Sequence, residues 1–296
     1  MDRTLRDWRA ILIFVGPALL IYGVVLLIPI VWSFGYTFTE GSVISGFKGV
    51  GLSNYVRLVH DPVFWQALWT SVRYAVLVSA GQIGFGLLLA LMYAFYLKRG
   101  SVLVRTLLFL PVVLPTVAVA QMFAKFFAIT PQYGFVNAAL EAMHLDGLVQ
   151  AWLGQGGTAF WVLVLMDIWK AMGFYAVLLY TGLVDIPDET LEAARLDGAS
   201  GWRLVRFVVV PLLAPVIVSS LIFSLNGTLK VFDSVLALTN GGPGTSTTPL
   251  TLYMYKTSFT YSEYGYGSTI AFALTALCLV VSLLIIRRSR QGDGSA

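Results

Sequence analysis

The stretch Ile186-Pro-Asp-Glu-Thr-Leu-Glu-Ala-Ala-Arg-Leu-Asp-Gly-Ala-Ser200, followed by Val208-Val-Val-Pro211, is the longest strongly polar piece of an otherwise apolar chain. Pro187 suits the first turn of a helix, where its missing N–H costs nothing. Asp188 and Glu189 place negative charge at the positive end of that helix. Thr190 to Leu196 holds good helix formers, and Gly198 is a natural terminator. The stretch predicts a short helix of two to three turns. A second helical piece, Trp202 to Val209, is expected to lead to Pro211. A helix this short is marginal in water by itself, so it is expected to dock on something. Long apolar runs flank it on both sides, and their lengths decide the fold class.

The chain has 296 residues, 58% hydrophobic and only 11% charged, with a mean hydropathy of +0.81. Soluble domains carry about a quarter charged residues, so this composition cannot cover a water-facing surface. Six stretches reach the about 20 apolar residues that a hydrocarbon core requires. They are 11–33, 72–97, 103–127, 158–181, 207–229 and 268–287. The expected fold is an all-α integral membrane protein of six transmembrane helices, with residues 1–296 forming one membrane domain. The first run follows a basic head that resembles a signal peptide. It is too long for a signal core and lacks a small-x-small cleavage site, so it reads as an uncleaved first helix.

Lysine and arginine in the short connections set the expected orientation. With the N-terminus inside, the inner pieces hold Arg3, Arg6, Arg9, Lys98, Arg99, Arg105, Arg195, Arg203, Arg206, Arg287, Arg288 and Arg290. The outer pieces hold Lys48, Arg57 and Lys256, with Arg73 at an edge, so the bias is twelve against four. Both termini are then inside, and the loop 186–206 is cytoplasmic. Among the outer pieces, Leu140 to Leu153 has helical spacing of apolar residues and is expected to lie along the interface as a helix.

Several chemistries are excluded. No Gly-x-x-x-x-Gly-Lys-[Ser/Thr] loop cradles a nucleotide, and no Cys/His cluster has metal-ligand spacing. The two histidines, His60 and His144, fall in outer loops, and the spans contain none, so no catalytic triad assembles and no enzyme is expected. The single cysteine, Cys278, lies in an apolar run as a small filler. The net charge of +4 reports topology and needs no nucleic acid. If the chain pumps, its energy comes from a partner or an ion gradient.

Polar residues inside the spans are the remaining clue. Asp167 and Lys170 are three residues apart on one helical face, and Lys230 and Asp233 repeat that spacing at the end of the fifth span. Charge at mid-membrane costs roughly 2.5–3.5 kcal/mol, so such groups face a cavity or each other. Two readings stay open: ion pairs that lock helices, or the wall of a site for a hydroxyl-rich ligand with Trp169, Phe174 and Tyr175 adjacent. An ion-coupled secondary transporter that relays protons through Asp167 and Lys170 is the alternative of a different class. Pro111, Pro115 and Pro215 are expected to kink their helices. Gly81, Gly84 and Gly86 suit close helix packing. Gly241-Gly242-Pro243-Gly244 reads as a rigid external turn, or as a contact for a partner.

Glu192-Ala-Ala194, then Gly198, then Val208 and Val210-Pro211 resemble the EAA motif of binding-protein-dependent ABC importers, with valines in place of the usual Ile and Leu. Leu229-Lys-Val-Phe-Asp233, Leu238-Thr-Asn-Gly-Gly-Pro-Gly244 and Thr247-Thr248 resemble the signature of the maltose-type sugar permeases. Tyr253, Tyr255, Phe259 and Gly265-Tyr-Gly267 continue that pattern. The resemblance implies a permease in a prokaryotic inner or plasma membrane, paired with a second, homologous permease. It also implies two cytoplasmic ATPase subunits that hold ATP and Mg, leaving this chain without a cofactor, and an extracytoplasmic protein that delivers sugar. By the same resemblance Pro187, Glu192, Ala193, Ala194 and Gly198 form the coupling helix on the ATPase. Sugar contacts fall on Asp167, Ala171, Phe174, Ser224, Gly227, Thr228 and Val231, with Lys170, Asn226 and Lys230 as neighbours of suitable chemistry. A glycerol-phosphate substrate is the lesser alternative within the family.

Overall fold

The computed structural model describes residues 8–42, 44–97 and 100–293, without the side chains of 9–11 and 288–293. Arg3, Arg6, Lys98 and Arg99, used in the orientation argument, lie outside the described residues. In chain order the elements are α1 (Leu12–Tyr36), a hairpin of β1 (Thr39–Ser42) and β2 (Gly46–Gly49), α2 (Ser53–His60) and α3 (Pro62–Tyr96). Then come α4 (Ser101–Val113), α5 (Thr116–Phe126) and α6 (Phe135–Ala142). They are followed by α7 (Gly156–Val184), α8 (Asp188–Leu196) and α9 (Trp202–Leu229). The last are α10 (Asp233–Leu238), α11 (Leu250–Tyr255) and α12 (Tyr264–Arg287). Five of these helices, α1, α3, α7, α9 and α12, are each long and apolar enough to cross a membrane.

The sixth expected span is a bent pair. α4 and α5 meet at 97°, where a single kinked helix over 103–127 was expected. The cause is local: the residue before a proline is pushed out of the α region, and Leu114, before Pro115, is extended at φ −68°, ψ 141°. Pro111 stays inside α4, so only the second proline breaks the chain direction. Two other prolines are absorbed differently. A π-helical turn over Gly23–Leu27 precedes Pro29, and another over Val205–Val209 precedes Pro211. In both, the carbonyl four residues before the proline, which its ring would strike, belongs to the widened turn. The predicted piece Trp202–Val209 is therefore continuous with the fifth span.

The expected helix over Leu140–Leu153 is not formed. α6 ends at Ala142, His144 takes a left-handed φ of 57°, and only a short 3₁₀ turn, Asp146–Leu148, follows. The apolar period there continues across a turn that ends the helix.

The chain divides into two compact units. One holds residues 1–64 and 253–275. In it the buried Asn54 donates to the carbonyls of Thr37 and Thr39, both at 2.9 Å, tying α2 to the entrance of the hairpin. The Asp61 carboxylate accepts from the hydroxyls of Tyr253, at 2.5 Å, and Tyr266. Arg57 pairs with Glu263 at 2.8 Å.

The other unit holds residues 65–252 and 276–296. One part of its core joins Tyr74, Val119, Phe123, Phe160, Leu163 and Val235. A second part joins Ile83, Tyr175, Leu179, Leu204, Val209 and Leu213. α4 and α7 approach at backbone distance, since a Cβ on Gly173 would stand 1.8 Å from the Leu108 carbonyl oxygen. On α3, Gly81 faces Ile168 and Gly86 faces the Tyr175–Ala176 backbone, whereas Gly84 faces open space.

Candidate functional site

A cavity of about 310 Å³ lies within the larger unit. α3 gives it Tyr74 and Gln82, α5 gives Thr116, and α7 gives Asp167, Lys170, Ala171 and Tyr175. α9 gives Ser224, Gly227 and Thr228, and the segment after it gives Lys230 to Ser234. Six of the residues expected to contact sugar therefore line one space: Asp167, Lys170, Ser224, Gly227, Thr228 and Lys230. Ala171 and Val231, aligned with them, join the lining. Phe174 does not; its ring packs on Phe223 at 5.9 Å and Tyr175 at 5.1 Å. Nor does Asn226, two residues from Ser224 and so on the other side of α9. Its amide donates to the Ile222 carbonyl at 2.9 Å and to Ser282 at 3.0 Å.

Asp167 is 9% exposed. Its carboxylate accepts from Tyr74 and, at 2.9 Å, from Ser234. Gln82 donates to the Asp167 main-chain carbonyl at 3.0 Å and accepts at 2.7 Å from Ser224, which also reaches Ser79 at 2.8 Å. Ser79 meets Thr228 at 3.2 Å. A buried carboxylate is tolerated only when its lone pairs are satisfied, and here hydroxyls do so from α3 and the start of α10. An Asp167–Lys170 ion pair, one of the two readings left open, is not among the described contacts. Lys170 donates instead to Thr116 on α5. The spacing put both groups on one face, but each turned to a neighbouring helix.

The sequence reading missed Tyr74, Ser79 and Gln82 of α3, Thr116 of α5 and Ser234. A signal for α3 was present. Ser71, Tyr74, Ser79 and Gln82 fall at helical spacing on one side of an apolar span, and all four are buried.

α8 forms as the composition dictates. Pro187 stands at its N-cap with Asp188 and Glu189 in the first turn. Gly198 closes it at φ +86°, with its N–H on the Arg195 carbonyl at 3.0 Å and that of Ala199 on Ala194 at 2.9 Å. Leu191, Ala194 and Ala199 pack against the second part of the core. Pro187, Glu192, Ala193 and Gly198 are exposed, so the motif is split between an inward and an outward face.

The Gly241–Gly244 turn is held by threonines. Thr247 donates to the Gly242 carbonyl at 2.9 Å, Thr248 to the Gly241 carbonyl at 3.0 Å, and Thr239 meets Thr247 at 2.8 Å. Asn240, Gly241 and Gly244 have positive φ, which suits an Asn-Gly-Gly sequence. In the smaller unit, burial raises the Asp61 pKa, but the hydroxyls of Tyr253 and Tyr266 and the amides of Val63 and Phe64 outweigh it and hold it below the ordinary 3.8. Burial, with Asp61 beside it, raises the pKa of Tyr253.

Residues 82–289 match the model of a family described as binding-protein-dependent transport system inner membrane component. A probable ABC transporter permease protein of Pyrococcus horikoshii is 33% identical over 288 residues, 97% of this chain and 98% of its own. The lactose transport system permease protein LacF of Rhizobium radiobacter is 35% identical over 286 residues, 94% of this chain and 93% of its own. Among solved structures, a chain of a bacterial ABC transporter involved in the import of the acidic polysaccharide alginate superposes with a TM-score of 0.84. It is 22% identical, over 98% of this chain and 99% of its own, and this likeness concerns the fold.

Proposed function

Because this chain belongs to the family of binding-protein-dependent transport system inner membrane components, we propose that it is the sugar permease of an ATP-driven importer working by alternating access. One observation carries the reading: the cavity and the motif-bearing helix are parts of one continuous run of chain. α7 brings Asp167 and Lys170 to the cavity and runs into α8. α9 leaves α8 and brings Ser224 and Thr228 back to the same space. A partner that moves α8 moves both walls.

The lining suits a polyhydroxyl ligand, which needs charged or amide hydrogen-bond partners beside flat rings. Tyr175 and Phe232 supply rings, and Lys170, Lys230 and Asp233 supply charge. Sugar-transport names among relatives, such as the lactose permease, support the class. Phe174 and Asn226 stand behind that lining.

Two ATPase subunits would dock on the exposed Glu192, Ala193 and Gly198 and hold ATP and Mg themselves, so this chain needs no cofactor. Pro187 and Ala194 fix the position of that face. A second, homologous permease would close the cavity, a delivery protein would load it, and both termini would lie on the ATPase side. The test is uptake in proteoliposomes of the reconstituted transporter, across a panel of labelled mono- and oligosaccharides and glycerol phosphate. Saturable, ATP-dependent uptake of a sugar is expected, with KM raised in Thr228→Ala. Uptake that follows an imposed proton gradient without ATP sinks the reading.

A further inference from the structure

A crevice of about 710 Å³ opens where α3 ends and α9 begins. Its wall is apolar: Leu88, Met92 and Phe95 of α3 and Leu204 and Val205 of α9. Around that wall stand four groups of another kind: Tyr96, Arg195, Ser200 and Trp202. Tyr96 is the last residue of its span and Trp202 the first of its own, and they are 81% and 69% exposed. Aromatic residues at span ends mark the depth of the lipid headgroups. Arg195, in the last turn of α8, is exposed. Arg203 and Arg206 follow on α9, exposed as well. None of the three has a carboxylate within ion-pair distance among the described residues.

We propose that this crevice binds an anionic glycerophospholipid, with an acyl chain along the α3–α9 wall and the phosphate on Arg195 beside Ser200. Three features select this occupant. The crevice wall is apolar just inside the headgroup depth, where acyl chains begin. Its charged group is a guanidinium, which matches a phosphate with two parallel hydrogen bonds. The charged group lining the crevice is cationic, and Arg203 and Arg206 follow it on α9, which favours an anionic headgroup over a zwitterionic one. The proposal rests on the chain's place in the membrane and not on its substrate, so it stands or falls apart from the sugar reading. Its consequence is regulatory, because the lipid would lie against α8, the element proposed to meet the ATPase.

The test uses the assembled transporter in phosphatidylcholine nanodiscs that carry brominated phosphatidylglycerol or brominated phosphatidylcholine. Emission from Trp202 is isolated by subtracting the Trp202→Phe protein. Brominated phosphatidylglycerol is expected to quench Trp202 at a several-fold lower mole fraction than brominated phosphatidylcholine. Arg195→Gln is expected to cut that preference about fivefold, the factor one basic residue supplies at an anionic surface, while Arg195→Lys retains most of it. Equal quenching by the two lipids, or a preference that survives Arg195→Gln, overturns the proposal. So does quenching that occurs in the isolated permease but vanishes in the assembled transporter, since a protein subunit then fills the crevice.

Discussion

Asp167 is the residue around which the cavity wall is organised, because its partners come from α3 and α10 at once. Removing one donor leaves part of a buried carboxylate unsatisfied, at about 1–3 kcal/mol. Tyr74→Phe should therefore lower the unfolding midpoint of the purified protein and raise the KM for sugar. The Tyr74→Phe/Asp167→Asn pair should be less than additive, which a double-mutant cycle reads directly. Gly173 makes a purely steric case. An alanine there meets the Leu108 carbonyl oxygen, a backbone atom that cannot turn away, so Gly173→Ala should destabilise by about 1–3 kcal/mol. Gly84→Ala, facing open space, serves as the neutral control in the same thermal measurement. Asp61 carries a pH effect. Its folded pKa lies below the ordinary 3.8, so its contribution is fully present above 3.8 and is lost as pH falls through the folded value. The Asp61→Asn protein should be less stable at neutral pH and should lose less stability on acidification, read as melting midpoint against pH. Sequence spacing made Asp167 and Lys170 visible as a pair on one face. It could not reveal that they bond to Tyr74 and Thr116 instead, because those partners depend on how neighbouring helices are rotated.

At the scale of elements, prolines decide where the spans bend. Pro29 and Pro211 are accommodated by widened turns just before them. Pro115 turns the chain outright through extended Leu114. The two outcomes follow from different clashes of the same ring, with the carbonyl four residues back or with the residue just before it, and the sequence around the proline does not say which will dominate. α8 was more legible, since its signals are local: proline and acids at the start, glycine at the end. Gly198→Ala places a Cβ on a residue at φ +86° and should weaken the cap by about 1 kcal/mol. Faster hydrogen exchange at the amides that close α8 would register the loss, with the spans unaffected. The failed helix at Leu140–Leu153 gives the opposite lesson, because an apolar period does not distinguish a helix from a helix followed by a turn.

For the whole molecule, the outward face of α8 and the cavity share α7 and α9 but differ in what mutation should do. Glu192 is exposed and makes no described side-chain contact within the chain. Glu192→Lys should therefore leave the melting midpoint unchanged while ATPase subunits no longer co-purify. An unchanged yield of assembled transporter would remove α8 from the interface. The sequence by itself determined the class of the protein, the positions of the apolar runs and the short helix between α7 and α9. Each of these follows from composition, run length or cap chemistry within a few residues. Only the tertiary structure decided that α3 supplies the hidden half of the polar network, that α4 and α5 meet at 97°, and that Phe174 and Asn226 stay off the cavity. Those outcomes depend on the rotation and approach of helices distant in sequence, set by contacts such as Gly173 against Leu108, which no local period encodes.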